Sequence, residues 1–216
     1  PAEAVDALAA AEPAGPPLEL SFPAPSTALL TVETFQDVKG SSFRRLLGQA
    51  FRDIAARGSE KLVIDLRDNE GGTDAYGALL YSYIAASPFR YYDRIEVTRR
   101  APFSEHRHMD LPWFFPFYRA LVAREGEGYR WTRKAELRVQ KPREPAFRGR
   151  VIMLVNGRSF SVTSELAAVA RSEGRAVFVG EESGGAYGGD GPDRVFTVNE
   201  KTRIEAAITD CEAAIK

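Results

Sequence analysis

Three short runs constrain this chain more than anything else in it: Lys61–Arg67 (KLVIDLR), Val151–Val155 (VIMLV) and Ala176–Gly180 (AVFVG). Each is nearly continuous in apolar residues, the pattern of a strand buried on both faces of a parallel sheet. Helical patterns separate them. Phe43, Leu46, Leu47, Ala50, Phe51 and Ile54 fall on one face of a helix, with Ser41 or Ser42 placed to cap its start and Gly58 to end it. Tyr76, Leu79, Leu80, Tyr83 and Ile84 share the face of a second helix, and Val162, Leu166 and Val169 that of a third. A further β-rich run covers Thr27–Phe35. Strands alternating with helices predict an α/β domain with a largely parallel sheet.

The flanks read differently. Residues 1–26 are rich in Ala, Pro and Glu and read as a linker or extended arm ahead of a core spanning 27–199. Within that core the pattern breaks over 87–150, where aromatic residues crowd against prolines in HMDLPWFFPFYRALVA and a basic, proline-broken run follows. This segment reads either as an insertion with its own hydrophobic patch or as a lid that touches substrate. Residues 200–216 read as a C-terminal tail. The 216 residues carry a net charge of -1, so nothing argues for nucleic acid or an anionic membrane as partner. No apolar run approaches the ~18–20 residues that span a bilayer. Cys211 stands alone, so a disulfide within the chain or a cysteine-rich metal site is excluded; no metal site and no cofactor are expected. The chain starts at Pro1 without a signal-like apolar segment and reads as a processed or trimmed piece of something longer.

Two turns carry candidate chemistry. DLRDNEGGTDAYG follows the first apolar strand and leads into a helix, with Gly71 and Gly72 at its apex. Open α/β sheets place ligands at the carboxyl ends of their strands, and glycines there let backbone N–H groups approach a ligand. Neither a Walker loop nor the dinucleotide fingerprint is present. In VNGRSFSVTSELAAVA, four hydroxyl residues (Ser159, Ser161, Thr163 and Ser164) meet the start of a helix. Two roles compete for Ser161. It caps the helix, or it is a nucleophile whose neighbouring free N–H groups hold an oxyanion. The strand-turn-helix layout is that of a nucleophile elbow, without the G-x-S-x-G pattern.

LVIDLRDNEGG, VIMLVNGRSFSVTSELAAVA and AVFVGEESGGAYGG occur in an order and spacing that resemble the tail-specific, or C-terminal processing, serine peptidases and their tricorn-core relatives. The resemblance covers roughly Thr27 to Gly191. It implies a crotonase-like, Clp-protease-like spiral of βα units with the aromatic, Pro-rich segment inserted, and a peptide or protein substrate. It also implies Ser161 as nucleophile, the backbone N–H of Val162 as one oxyanion donor and that of Gly71 or Gly72 as the other. Asp65, Arg67 and Asn69 then brace the turn. The family is mostly secreted or periplasmic in bacteria, which implies an extracytoplasmic location.

The base departs from the pattern. The tail-specific branch deprotonates its serine with a lysine, and the matching position here is Ala186. The tricorn-like branch uses a histidine upstream of the first strand, and no histidine precedes Thr27. The only two, His106 and His108, lie in the insertion, either as surface residues or as a base swung in from it. Glu181, Glu182 and Asp190 flank the last glycine turn and are either solvated carboxylates or groups that orient a base or bind a substrate amine. Three functions follow: a serine endopeptidase of the tricorn-like branch with its base in a missing upstream segment, a non-catalytic peptide-binding pseudoenzyme, and a crotonase-type acyl-CoA enzyme on the same fold.

Overall fold

The computed structural model describes residues 15–97, 118–185, 189–190, 194–199, 204–208 and 211–214. In chain order the elements are β1 (Leu18–Ala24), β2 (Thr27–Val32), α1 (Phe43–Ala56), β3 (Lys61–Asp65), α2 (Asp74–Ile84), β4 (Arg94–Val97), α3 (Tyr118–Leu121), β5 (Val122–Glu125), β6 (Gly128–Trp131), a 3-10 turn (Ala135–Leu137), β7 (Arg150–Val155), α4 (Val162–Ser172), β8 (Ala176–Gly180), β9 (Gly189–Asp190), β10 (Arg194–Asn199), β11 (Ile204–Ile208) and β12 (Cys211–Ala214).

The main sheet has the order β1-β2-β3-β7-β8, with β2, β3, β7 and β8 parallel and β1 antiparallel at the edge. The α/β architecture expected from the alternation is therefore present. Register aligns Ala28, Leu62 and Val151 in one row and Leu30, Ile64 and Met153 in the next. These side chains are buried and form one core with the buried residues of α1, α2 and α4. Phe43 stacks on Tyr76 and Phe51 on Tyr83, which fastens α1 to α2. Truncating Ile64, at the centre of that core, removes packing worth about 2–5 kcal/mol.

The apolar runs suggested strands buried on both faces, and the structure differs. The alternate row Leu29, Val63, Ile152 and Val177 runs across the opposite face. Its first three members are half-buried, and Val177 is 47% exposed. The buried residues of α1, α2 and α4 cluster with the other row, so the sheet is fully covered on that side alone.

Two further differences concern segment ends. The stretch read as an arm contains β1, which pairs with β2 through Leu18↔Val32 and Leu20↔Leu30. Leu18, Leu20 and Phe22 alternate with Glu19 and Ser21, a period-two pattern that the surrounding prolines mask. At α1, Ser42 occupies the N-cap but makes no side-chain cap bond; Asp37 Oδ1 instead accepts from the Phe43 N–H at 2.8 Å.

A second, antiparallel sheet has the order β5-β6-β4-β12-β9. It joins strands of the 87–150 segment to β12, from the stretch read as a tail. β10 and β11 form a separate hairpin. No helix among the described residues is long and apolar enough to cross a membrane.

Candidate active site

β3 and β7 are adjacent and parallel, so their carboxyl ends deliver two loops to the same place. The β3–α2 loop carries Asp68, Asn69, Gly71 and Gly72. The β7–α4 loop carries Asn156, Ser159 and Ser161.

Three of the four hydroxyls at this junction have partners in the scaffold. Ser159 is buried; its Oγ donates to Leu66 O at 2.9 Å and accepts from the Asn156 N–H at 3.0 Å. Thr163 Oγ1 donates to Asn69 Oδ1 at 2.9 Å, and Ser164 Oγ to Ser159 O at 2.9 Å. Each of these three holds the loop together. Ser161 stands at the N-cap of α4, yet its side chain makes no cap bond. Its backbone has φ 52° and ψ -124°. A non-glycine residue there stores strain on the order of 1–3 kcal/mol, a feature of sharp strand-to-helix elbows that present a side chain.

The first loop comes within contact of that elbow. A Cβ added to Gly71 would lie 2.8 Å from Ser161 Cβ and 3.1 Å from Val162 N, so only glycine admits this approach. Gly71 and Gly72 also have φ of 107° and 140°, which side chains disfavour. The Gly71 N–H is occupied: it donates to Asn69 Oδ1 at 2.9 Å. The N–H groups of Gly72 and Val162 make no hydrogen bond among the described residues. Asn69 is buried and joins three elements, since its Nδ2 donates to Val32 O at 2.8 Å while Oδ1 accepts from Gly71 and Thr163.

The third glycine turn packs on the same elbow. Gly184 N–H donates to Ser159 O at 3.1 Å, and a Cβ on Gly185 would sit 2.4 Å from Ser164 Oγ. Glu181 and Glu182 are exposed and line a pocket with Ser164, Arg171, Phe178 and Gly185. His106, His108, Ala186 and the side chain of Asp190 lie outside the described residues. Lys134 is paired with Asp74.

Sequence reasoning did not single out Asp68, Asn156, Glu165, Tyr91 or Tyr92. Glu165, in the first turn of α4, is buried and accepts from the Tyr92 hydroxyl at 2.5 Å. A glutamate inside the helix's apolar face was the available signal. Burial pushes the Tyr91 and Tyr92 hydroxyls well above the ordinary tyrosine range, so both stay protonated. At the mouth of the first loop, hydrogen bonds from Arg67 hold the Asp65 carboxyl below its ordinary value.

Comparison with known proteins bears on the fold and the family. The structures similar to the chain include mature CPAF (16% identity, TM-score 0.61, covering 87% of this chain and 43% of that one). A putative peptidase from Parabacteroides merdae shows 14% identity, TM-score 0.57 and coverage of 96% and 55%. The photosystem II D1 C-terminal processing protease shows 17% identity, TM-score 0.53 and coverage of 91% and 43%. The chain thus spans about half the length of these structures. Their likeness establishes the crotonase-like, Clp-protease-like fold. No curated protein sequence matches the chain. The profile of peptidase family S41 matches residues 26–210, and the chain belongs to that family of serine peptidases.

Proposed function

We propose that the protein hydrolyses peptide bonds through an acyl-enzyme on Ser161. The observation that carries this proposal is the contrast among the hydroxyls: Ser159, Thr163 and Ser164 are bonded into the scaffold, whereas Ser161 is held at positive φ with no cap bond, against Gly71 and Val162. In the proposed reaction a base takes the proton from Ser161 Oγ as that oxygen adds to the scissile carbonyl carbon. The N–H groups of Gly72 and Val162 hold the resulting oxyanion. Gly72 is preferred over Gly71 because the Gly71 N–H is already bonded to Asn69. Collapse expels the amine, which receives the proton from the base. Water then hydrolyses the ester, releasing the acid and restoring the serine.

We assign the base to a histidine in a segment of the protein preceding this sequence, with His106 and His108 as the candidates within it. Ala186 at the lysine position supports that assignment and equally favours a second possibility, a peptide-binding pseudoenzyme that keeps the cleft without turnover. Glu181, Glu182 and Asp190 are candidates to contact a substrate amine or orient the base. An extracytoplasmic location rests on the family resemblance. The test is covalent labelling of the intact protein with a serine-reactive phosphonate, mapped by mass spectrometry. Labelling at Ser161 that is lost in Ser161→Ala supports the enzyme. An unlabelled Ser161 in a protein that still binds peptide supports the pseudoenzyme.

A further inference from the structure

The proposed oxyanion hole has one donor on each of two loops, and those loops come from strands far apart in sequence. Something must fix their separation, because a misplacement of about 1 Å can cost on the order of a hundredfold in rate. Buried bonds do part of this: Phe160 N–H to Asn69 O at 3.1 Å, and the Ser159 and Thr163 hydroxyls to Leu66 and Asn69. At the exposed rim a different pair meets. The Asp68 N–H donates to Asn156 Oδ1 at 3.1 Å, and Asn156 Nδ2 donates back to Asp68 Oδ1 at 3.1 Å. The two residues are 88 positions apart.

Three observations set this pair apart from incidental surface contact. Asn156 Oδ1 also accepts from the Arg158 N–H at 3.1 Å. With two backbone donors on its oxygen, the amide has one orientation, and its nitrogen must face the Asp68 carboxylate. Asp68 adopts φ 62°, a left-handed conformation that aspartate and asparagine tolerate better than most side chains. Finally, Arg158 reinforces the same junction by pairing with Glu70 at 2.8 Å and approaching Asp68 at 4.0 Å. Neither Asp68 nor Asn156 belongs to the hydrophobic core.

We propose that Asp68 and Asn156 form a reciprocal latch that sets the spacing between Gly72 and Val162, and so act as positioning residues for the oxyanion hole; this rests on the Ser161 reaction proposed above. The latch has a donor-acceptor polarity, which makes it testable by exchange. Asn156→Asp keeps an oxygen for both backbone N–H groups but sets a carboxylate against Asp68. Asp68→Asn in that background supplies an amide at position 68 that donates to the new carboxylate at position 156, so two bonds again join the loops, both now running from residue 68 to residue 156.

The experiment uses the intact protein with a fluorogenic peptide, alongside hydrogen exchange of the Phe160 N–H. Asn156→Asp is expected to lower kcat by about tenfold or more while KM stays within about twofold, since the hole acts on the transition state. Phe160 exchange should quicken, because its bond to Asn69 O spans the same two loops. The double variant should return both readouts to within about threefold of wild type, as coupled neighbours do. Wild-type kcat and exchange in Asn156→Asp would overturn the latch, as would a loss that Asp68→Asn does not reverse. A rise in KM at unchanged kcat would also overturn it. Ser161→Ala, run in the same assay, separates the two proposals: turnover that survives it contradicts the Ser161 reaction, while Phe160 exchange still reports on the latch.

Discussion

Thr163 Oγ1 donates to Asn69 Oδ1 inside the core, across 94 positions of sequence. This bond ties the first turn of the elbow helix to the glycine loop. The same oxygen accepts from the Gly71 N–H, so the elbow and the glycine turn share one acceptor. Asn69→Ala should therefore do more than remove a side chain. It leaves Val32 O, the Gly71 N–H and the Thr163 hydroxyl without partners in a buried setting, at about 1–3 kcal/mol each. A urea titration should show a loss of several kcal/mol, and Thr163→Val should lose only about 1 kcal/mol, because one lone pair of Asn69 then goes unused.

Gly71 faces Ser161 Cβ at a distance no side chain can share. Gly71→Ala should fold with a displaced loop and lose on the order of 100–1,000-fold in turnover, as removal of an oxyanion donor does. Gly126 is the matched control: it also has positive φ, with open space where a Cβ would go. Gly126→Ala should cost about 1–2 kcal/mol of stability and leave kcat unchanged. Circular dichroism melts and peptide kinetics on the two variants distinguish site geometry from backbone strain.

The elbow stores strain that the serine's backbone imposes. Ser161→Gly and Ser161→Ala both remove the proposed nucleophile, but only glycine relaxes φ 52°. Ser161→Gly should be the more stable of the two by about 1 kcal/mol. Equal melting temperatures would show that the elbow is not strained.

Much of this arrangement was legible in the sequence. KLVID, VIMLV and AVFVG stood out because each has an uninterrupted apolar centre, and each is a parallel strand of the main sheet. The position of Ser161 at a strand-turn-helix junction was equally plain. Its lack of a capping bond was not, since the partners of Ser159 and Thr163 lie 93 and 94 positions away and no local pattern announces them. β1 was hidden because Pro17 and Pro23 bracket an alternating run within a proline-rich stretch. The Asp68–Asn156 pair escaped for the same reason as the hydroxyl partners: residues far apart in the chain meet only once two parallel strands bring their loops together.

The pH dependence of stability should carry a signature of Asp65. Its folded carboxyl is held below the ordinary value near 3.8, chiefly by hydrogen bonds from Arg67. The pairing is fully present above the unfolded carboxyl's range, and its contribution is lost as pH falls through the lowered folded value. Urea midpoints of wild type and Asp65→Asn should differ at pH 7 and converge below about pH 3. A gap that widens toward acid would reverse the assignment.

The most direct test of the central claim is peptide hydrolysis by the intact protein, with Ser161→Ala, Ser159→Ala and Ser164→Ala compared at equal folded concentration. Only Ser161 is expected to supply the nucleophile, so Ser161→Ala should fall to background. Ser164→Ala, which loses one scaffold bond at about 1–3 kcal/mol, should retain turnover while it remains folded. Ser159→Ala should behave likewise. Turnover that persists in Ser161→Ala and vanishes in folded Ser159→Ala or Ser164→Ala would contradict the assignment of the elbow serine.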